Sequence, residues 1–388
     1  MKTIIKKIDN DTILISNLYF DVLNNNFLIN NHEYNYEQLY NYKWKSRDDY
    51  STCDNTFIIE DINDYLKHQN EDDFSIKIIT SKNMFPTIVL ARRFAPDNWG
   101  HLFSETIIPI EYVFNKLNIN NFSDRAVIID DDVSSNADIQ NSIFPKNYDD
   151  KLREQTQIFS NNTTISLAEI VIFGFKTYVN NYIDNKNRFI RIENQVLFGI
   201  GGISPFVTSD LWNDKYMKNV LDNYLNRTYQ IYFPNINIKN MPQDTLTFII
   251  KKGIRSVANY EEVSILLSNF AKYKNLKYRA INLSDISYTE QLSIMMRTKI
   301  LFTNAGSSSF CGLLIPKKII LVYFPLDCNK DIPERRILVD LKYKYNLFEY
   351  NDYDTNWKLT QIDSNSSYNV NLDILKIILQ KILEIKNI

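Results

Sequence analysis

The chain has 388 residues, enough for two domains of ordinary size with a cleft between them. Its 44% hydrophobic and 13% aromatic content is that of a folded globular protein, and a net charge of -2 with scattered Lys and Arg excludes a general nucleic-acid surface. Three distant cysteines, Cys53, Cys311 and Cys328, suit neither a disulfide framework nor a zinc site and fit a reducing compartment.

Residues 1 to about 80 hold short apolar runs broken by polar residues and by Tyr and Asn clusters, which reads as a β-rich extension over 1–82. Charge interrupts the apolar residues of Met1–Asn10, and the longest apolar run, 319–326, includes Pro325 and falls far short of a membrane span. The expectation is a soluble, unanchored, cytoplasmic protein. From Pro86 the pattern turns to strand, turn and helix. Thr87–Phe94 is a buried-strand run, Pro96 and Gly100 mark a turn, and Leu102, Phe103, Ile107, Ile110 and Val113 recur at helical spacing. Further strands are expected at 126–130 and 169–175, followed by irregular chain over 176–208 punctuated by Gly199, Gly201 and Gly202. With a helix at 209–227 and a hinge at 234–242, this gives an α/β domain at 83–235.

Beyond the hinge the alternation is regular, with strands at 246–250, 277–282, 299–303 and 318–324 and helices at 259–273, 287–297 and 308–314. Such alternation predicts a parallel sheet with right-handed crossovers, hence a second α/β domain at 236–388, closed by an amphipathic helix from Leu372 to Ile385.

Four segments carry chemistry. After the strand at 246–250, Lys251, Lys252 and Arg255 stand where a ligand binds in an open α/β sheet, and Asn259 is placed to cap a helix that begins with Glu261 and Glu262. Arg255 suits a diphosphate as a forked donor and the lysines as point charges, although the segment also reads as a solvated basic turn. After the strand at 299–303, the small residues Asn304, Ala305, Gly306, Ser307 and Ser308 let backbone N–H groups approach a ligand, or form an ordinary serine-capped turn. In Asp97–Glu105, His101 has the chemistry to take a proton from a sugar hydroxyl, with Glu105 one helical turn on to orient it and Asp97 able to do either job. The bland alternative is that Asp97 or Asn98 caps the helix and His101 fills a groove. Asp130, Asp131 and Asp132 read either as a metal-holding acidic motif or as a solvated loop.

In this order the segments resemble family 61 glycosyltransferases, the group that includes EGF-domain O-GlcNAc transferase and plant xylosyl- and arabinosyltransferases, over roughly residues 86–326. Asn98-Trp-Gly-His101 with Glu105 is similar to the family's Asn-x-x-His turn and following acid. Lys252-Gly-Ile-Arg-Ser-Val-Ala-Asn-Tyr-Glu-Glu262 is similar to its basic-Gly-x-Arg-x-x-x-Asn-x-x-Glu segment, and Glu290-Gln291 to its Glu-Gln pair. The chain departs at Thr303-Asn-Ala-Gly306, where the family has His-Gly-Ala-Gly, and at Lys251, where it has Arg. An Asn304 in the left-handed conformation would stand in for the missing glycine.

The resemblance implies a GT-B-like architecture, two facing Rossmann-type parallel-sheet domains, with a nucleotide sugar held mainly by the C-terminal one. It implies an inverting, metal-independent hexosyl- or pentosyltransferase with no cofactor, taking a UDP-sugar as donor and a glycan or related glycoconjugate as acceptor. His101, Glu105 and Asp97 would serve catalysis; Lys251, Lys252, Arg255, Asn259, Asn304, Ala305, Gly306, Ser307 and Ser308 would bind the donor. A homodimer is left open. The rival readings are a polysaccharide pyruvyltransferase-like enzyme and a non-catalytic sugar- or nucleotide-binding module.

Overall fold

The computed structural model describes residues 1–8, 13–24, 26–30, 59–68, 76–79, 86–92, 103, 107–119, 125–129, 170–173, 179, 188–201, 215–253, 255–325, 341, 344–354 and 367–385. The chain divides into two compact units, Met1–Val207 and Thr208–Ile388. Both mix helices with sheets that contain parallel strands, so the expected α/β class is met at that level.

In the first unit the strands are β1 (Ile4–Lys7), β2 (Ile13–Ser16), β3 (Leu18–Asp21), β4 (Asn26–Ile29), β5 (Ile59–Asp61), β6 (Ile76–Ile79), β7 (Thr87–Arg92), β8 (Arg125–Ile129), β9 (Ile170–Phe173), β10 (Phe189–Ile192) and β11 (Gln195–Gly201). Helix α1 (Ile62–His68) follows β5, and α2 (Ile108–Lys116) lies between β7 and β8. One sheet has the order β1-β2-β11-β7-β8-β9 and the other β5-β4-β3-β10-β6. Asn17, the single residue between β2 and β3, carries the chain from one sheet to the other at φ 56°, a left-handed position that Asn tolerates better than most residues.

The described strands within residues 1–82 therefore do not form an extension of their own. β1 and β2 join the sheet of β7, β8 and β9, while β3 to β6 share the other with β10. The reason is apolar burial: Ile13, Ile15, Ile88, Ile128 and Val196 of one sheet and Leu18, Phe20, Phe27, Ile79 and Ile190 of the other meet in one core. The expected irregular chain over 176–208 is also corrected, because β10 and β11 lie within it. Gly199 sits where the pairing of β11 with β7 shifts register between Leu197 and Ile200, so this glycine marks a bulge inside a strand.

The second unit begins with helix α3 (Lys215–Tyr232), placed by the sequence pattern in the first domain. Its stripe of Met217, Val220, Leu221, Tyr224 and Leu225 is buried, and Tyr229 Oη lies 2.8 Å from the Leu314 carbonyl and 3.2 Å from that of Leu292, fixing the helix to this unit. The expected hinge at 234–242 contains only a short 3-10 turn, Ile238–Asn240, inside the unit. There follow β12 (Thr245–Ile249), α4 (Tyr260–Tyr273), β13 (Lys277–Ile281), α5 (Tyr288–Arg297), β14 (Thr298–Asn304), a 3-10 helix at Ser307–Leu314, β15 (Ile319–Phe324), β16 (Tyr345–Glu349) and α6 (Leu372–Glu384).

The sheet is wholly parallel, in the order β13-β12-β14-β15-β16. β12 and β15 are buried along their whole length, as strands covered on both faces must be. Strand β16 and the turn to Tyr350 went unread in the sequence. Among the described residues no helix is long and apolar enough to cross a membrane.

Below the sheet, at the amino end of β16, Lys344 is buried, with its Nζ donating to the Leu313 carbonyl at 2.7 Å. Burial lowers its ammonium to about 7, although the charge of Asp222 acts in the opposite direction. In the unfolded chain the same lysine titrates near about 10.4. Below pH 7 both states carry the proton and the fold bears the full cost of a buried charge; above it only the folded state releases the proton, so stability rises with pH through the window from 7 toward 10. The melting temperature is expected to rise between pH 7 and pH 9 relative to Lys344→Met, measured in parallel scans. Curves for the two proteins that stay parallel across that range would remove Lys344 as the cause.

Candidate functional site

In the second unit the chain leaves β12 toward β13 on one side and returns from β13 to β14 on the other, so β12 and β14 flank the point where strand order reverses. Right-handed crossovers running in opposite directions put α4 and α5 on opposite faces, and in sheets of this order ligands bind at the carboxyl ends of the two strands at the reversal.

Two strand ends meet there. Gly306 follows β14 at φ 104°, and a Cβ built on it would lie 3.3 Å from Arg255 Nη1 and 3.4 Å from Lys251 Nζ. A guanidinium and an ammonium thus converge over one backbone position that has no side chain to keep them away. Beyond Gly306 begins the 3-10 helix at 307–314, whose first N–H groups add to the positive field. Ser309 closes the turn onto the Gly306 carbonyl through its N–H at 2.9 Å and its Oγ at 2.8 Å.

Arg255 is itself left-handed, at φ 59°, two residues after Gly253 at φ 80°. That conformation costs a residue with a Cβ about 1–2 kcal/mol, and a large side chain held there is a feature of shaped ligand sites. The sequence pattern placed the left-handed residue at Asn304. The structure instead makes Asn304 the last residue of β14, and the left-handed positions fall at Gly306 and Arg255. Asn304 is fully buried, and neither its amide oxygen nor its nitrogen has a hydrogen-bond partner among the described residues. Each such group costs about 1–3 kcal/mol until a ligand or water completes it. Ser308 Oγ is likewise buried without a partner.

The remaining expected donor residues are distributed differently. Ala305 continues the sheet, its N–H donating to the Phe324 carbonyl at 3.0 Å, and Ser307 opens the 3-10 helix. Lys252 is exposed and paired with Asp285 at 2.8 Å, which holds the Asp285 carboxyl below the usual range. Asn259 stands at the start of α4, yet its side chain caps nothing. Its amide is spent on the backbone of Val370, while its carbonyl accepts the first intrahelical bond, from the Val263 N–H at 3.2 Å. Gln291 of the Glu290-Gln291 pair donates to the Leu283 carbonyl at 2.9 Å and steadies the turn after β13.

His101, Glu105, Asp97 and the Asp130–Asp132 run lie outside the described residues, as do Cys53 and Cys328. Cys311 is buried, and burial pushes its thiol far above the ordinary range, which disfavours the thiolate. In comparisons with known proteins, no family model matches the chain and no curated protein matches its sequence.

Gly306→Ala places a methyl group against both cations in a conformation that alanine avoids. It is expected to destabilise the protein by about 1–2 kcal/mol and to weaken inorganic pyrophosphate binding. Thermal melts and calorimetric titration check the two effects, and a variant with wild-type affinity would show that the cations do not use this approach.

Proposed function

We propose that the chain is a glycosyltransferase of GT-B type that takes the sugar of a nucleotide sugar, UDP-linked in the simplest reading, to a hydroxyl of a glycan or related acceptor. The observation that carries this reading is the convergence of Lys251 and Arg255 on Gly306 at the reversal point of a doubly wound parallel sheet. That arrangement suits a diphosphate: a forked donor and a point charge face the oxygens, with a helix start behind them.

In such a transfer the bond from the anomeric carbon to the β-phosphate oxygen breaks, and its electron pair leaves with the nucleoside diphosphate. Arg255 and Lys251 stabilise the charge that develops there, which is the role a divalent cation plays in other transferases. The acceptor oxygen forms the new bond from the opposite face, inverting the carbon, and its proton passes to a base. His101 is assigned that base on its sequence context, with Glu105 and Asp97 as the carboxylates that orient it.

Arg255→Ala removes a charge-assisted contact and is expected to weaken UDP binding about 10- to 100-fold. Calorimetry on the folded variant checks this, and unchanged affinity sinks the diphosphate assignment. His101→Ala is expected to bind UDP normally while sugar transfer falls roughly 100- to 10,000-fold, with Glu105→Gln milder. Near-normal turnover of His101→Ala together with loss in Asp97→Asn or Glu105→Gln would move the base to a carboxylate. Turnover of phosphoenolpyruvate rather than UDP-sugars would give the chain to the pyruvyltransferase chemistry.

A further inference from the structure

Residues 367–371 run beside the loop that carries the cations. Val257 and Tyr368 form an isolated parallel bridge, in which the Tyr368 N–H donates to the Ser256 carbonyl at 3.0 Å and the Ala258 N–H to the Tyr368 carbonyl at 2.7 Å. At Asn259 the pairing continues through a side chain. Its Oδ1 accepts from the Val370 N–H and its Nδ2 donates to the Val370 carbonyl, both at 2.9 Å. A carboxamide that satisfies donor and acceptor of one residue copies a rung of a β-ladder. Ser256 Oγ and Ser367 Oγ, 2.7 Å apart, add a bond at the other end.

This strap is anchored in the core. Tyr368 and Val370 are buried, the Asn371 N–H donates to Tyr350 Oη at 2.8 Å, and Asn371 Oδ1 caps α6 through the Asp373 N–H at 2.9 Å. Helix α6 then buries Leu375, Ile378, Leu379 and Ile382. The loop at 256–259 is thus tied to a fixed support, while immediately before it Arg255 stands in a left-handed conformation that a free loop would abandon.

We propose that Asn259 is a positioning residue of the anion site, its carboxamide holding 256–259 on the 367–370 strap so that the Arg255 guanidinium stays over Gly306. The inference rests on the reading of Lys251, Arg255 and Gly306 as a diphosphate site, and it gives Asn259 a role other than contact with the donor. Its effect runs through Arg255 and is absent once Arg255 is gone.

The test uses the full chain, with UDP and inorganic pyrophosphate as probes. In Asn259→Ala without ligand, amide hydrogen exchange at Ala258 and Tyr368 accelerates; unchanged exchange overturns the clamp. UDP affinity falls roughly 3- to 10-fold in the same variant but shows no further loss when Asn259→Ala is added to Arg255→Ala. Losses that multiply in the double variant make Asn259 a direct contact, and an affinity untouched by Asn259→Ala makes it merely structural; either result overturns the proposal. Should Asn259→Ala not fold, Ser367→Ala removes the neighbouring bond from the strap side and is expected to shift exchange and affinity in the same directions, with no shift in either counting against the strap. Wild-type protein that binds neither probe overturns the diphosphate reading and with it the positioning role, and the ligand-free exchange data separate that failure from failure of the clamp.

Discussion

Everything at the candidate site depends on the placement of β12 between β13 and β14. A parallel strand buried on both faces presents its two ends differently: each amino end receives a chain from a helix, and each carboxyl end releases one into a turn. Because the chain leaves β12 on one side and comes back on the other, the turns after β12 and β14 are forced next to each other with no helix crossing between them. Lys251 and Arg255 ride on one of those turns and Gly306 on the other. Their meeting follows from strand order, and a sheet with β13 inserted between β12 and β14 would separate them.

The opposite end of the sheet shows charge in a structural role. Asp244 precedes β12, and its carboxylate receives Arg297 Nε at 3.1 Å and Lys277 Nζ at 3.0 Å, from the residues that precede β14 and begin β13. Arg297 above all holds the Asp244 carboxyl well below the usual carboxylate range. Backbone bonds run in parallel with the side chains, Asp244 N–H to the Arg297 carbonyl at 3.0 Å and Lys277 N–H to that of Asp244 at 2.8 Å. The base of the three strands is therefore pinned in register by paired charges and main-chain bonds together. At the apex, cations face a glycine, and a buried amide at Asn304 lacks a partner among the described residues. Charge is thus paired at one end of these strands, while at the other the partnerless Asn304 amide is what the proposed ligand site would complete.

The first unit teaches a different lesson about pattern reading. Its strands are short and several are buried at all or nearly all positions, so alternation between apolar and polar residues, the usual strand signal, is weak in segments such as Leu18–Asp21 and Asn26–Ile29. Their burial comes from the other sheet on one face and, at Tyr19 and Leu28, from Ile62 and Tyr65 of α1 on the other, neither of which a local window contains. Gly199 and Gly201 misled for a related reason: a glycine inside a strand and a glycine in a loop look alike in sequence, and only the register shift against β7 tells them apart.

The sequence by itself determined the elements from β12 to β15, and α6, almost to the residue, because their apolar runs, helical stripes and turn residues are local features that depend on neighbours within a few positions. It also placed Lys251, Arg255 and Gly306 at strand ends, since charge and glycine after a buried run leave few other readings. Tertiary structure decided which of these ends meet. The same alternation of strands and helices is compatible with several strand orders, and Arg255 and Lys251 come over Gly306 in this one because it sets β12 beside β14. It also decided that Asn259 binds Val370, 111 positions away, instead of capping its own helix, and that Lys344 lies buried beneath β16. A side chain's partner far along the chain is set by the packing of whole elements, and that information is spread over the entire sequence and is not contained in any one motif.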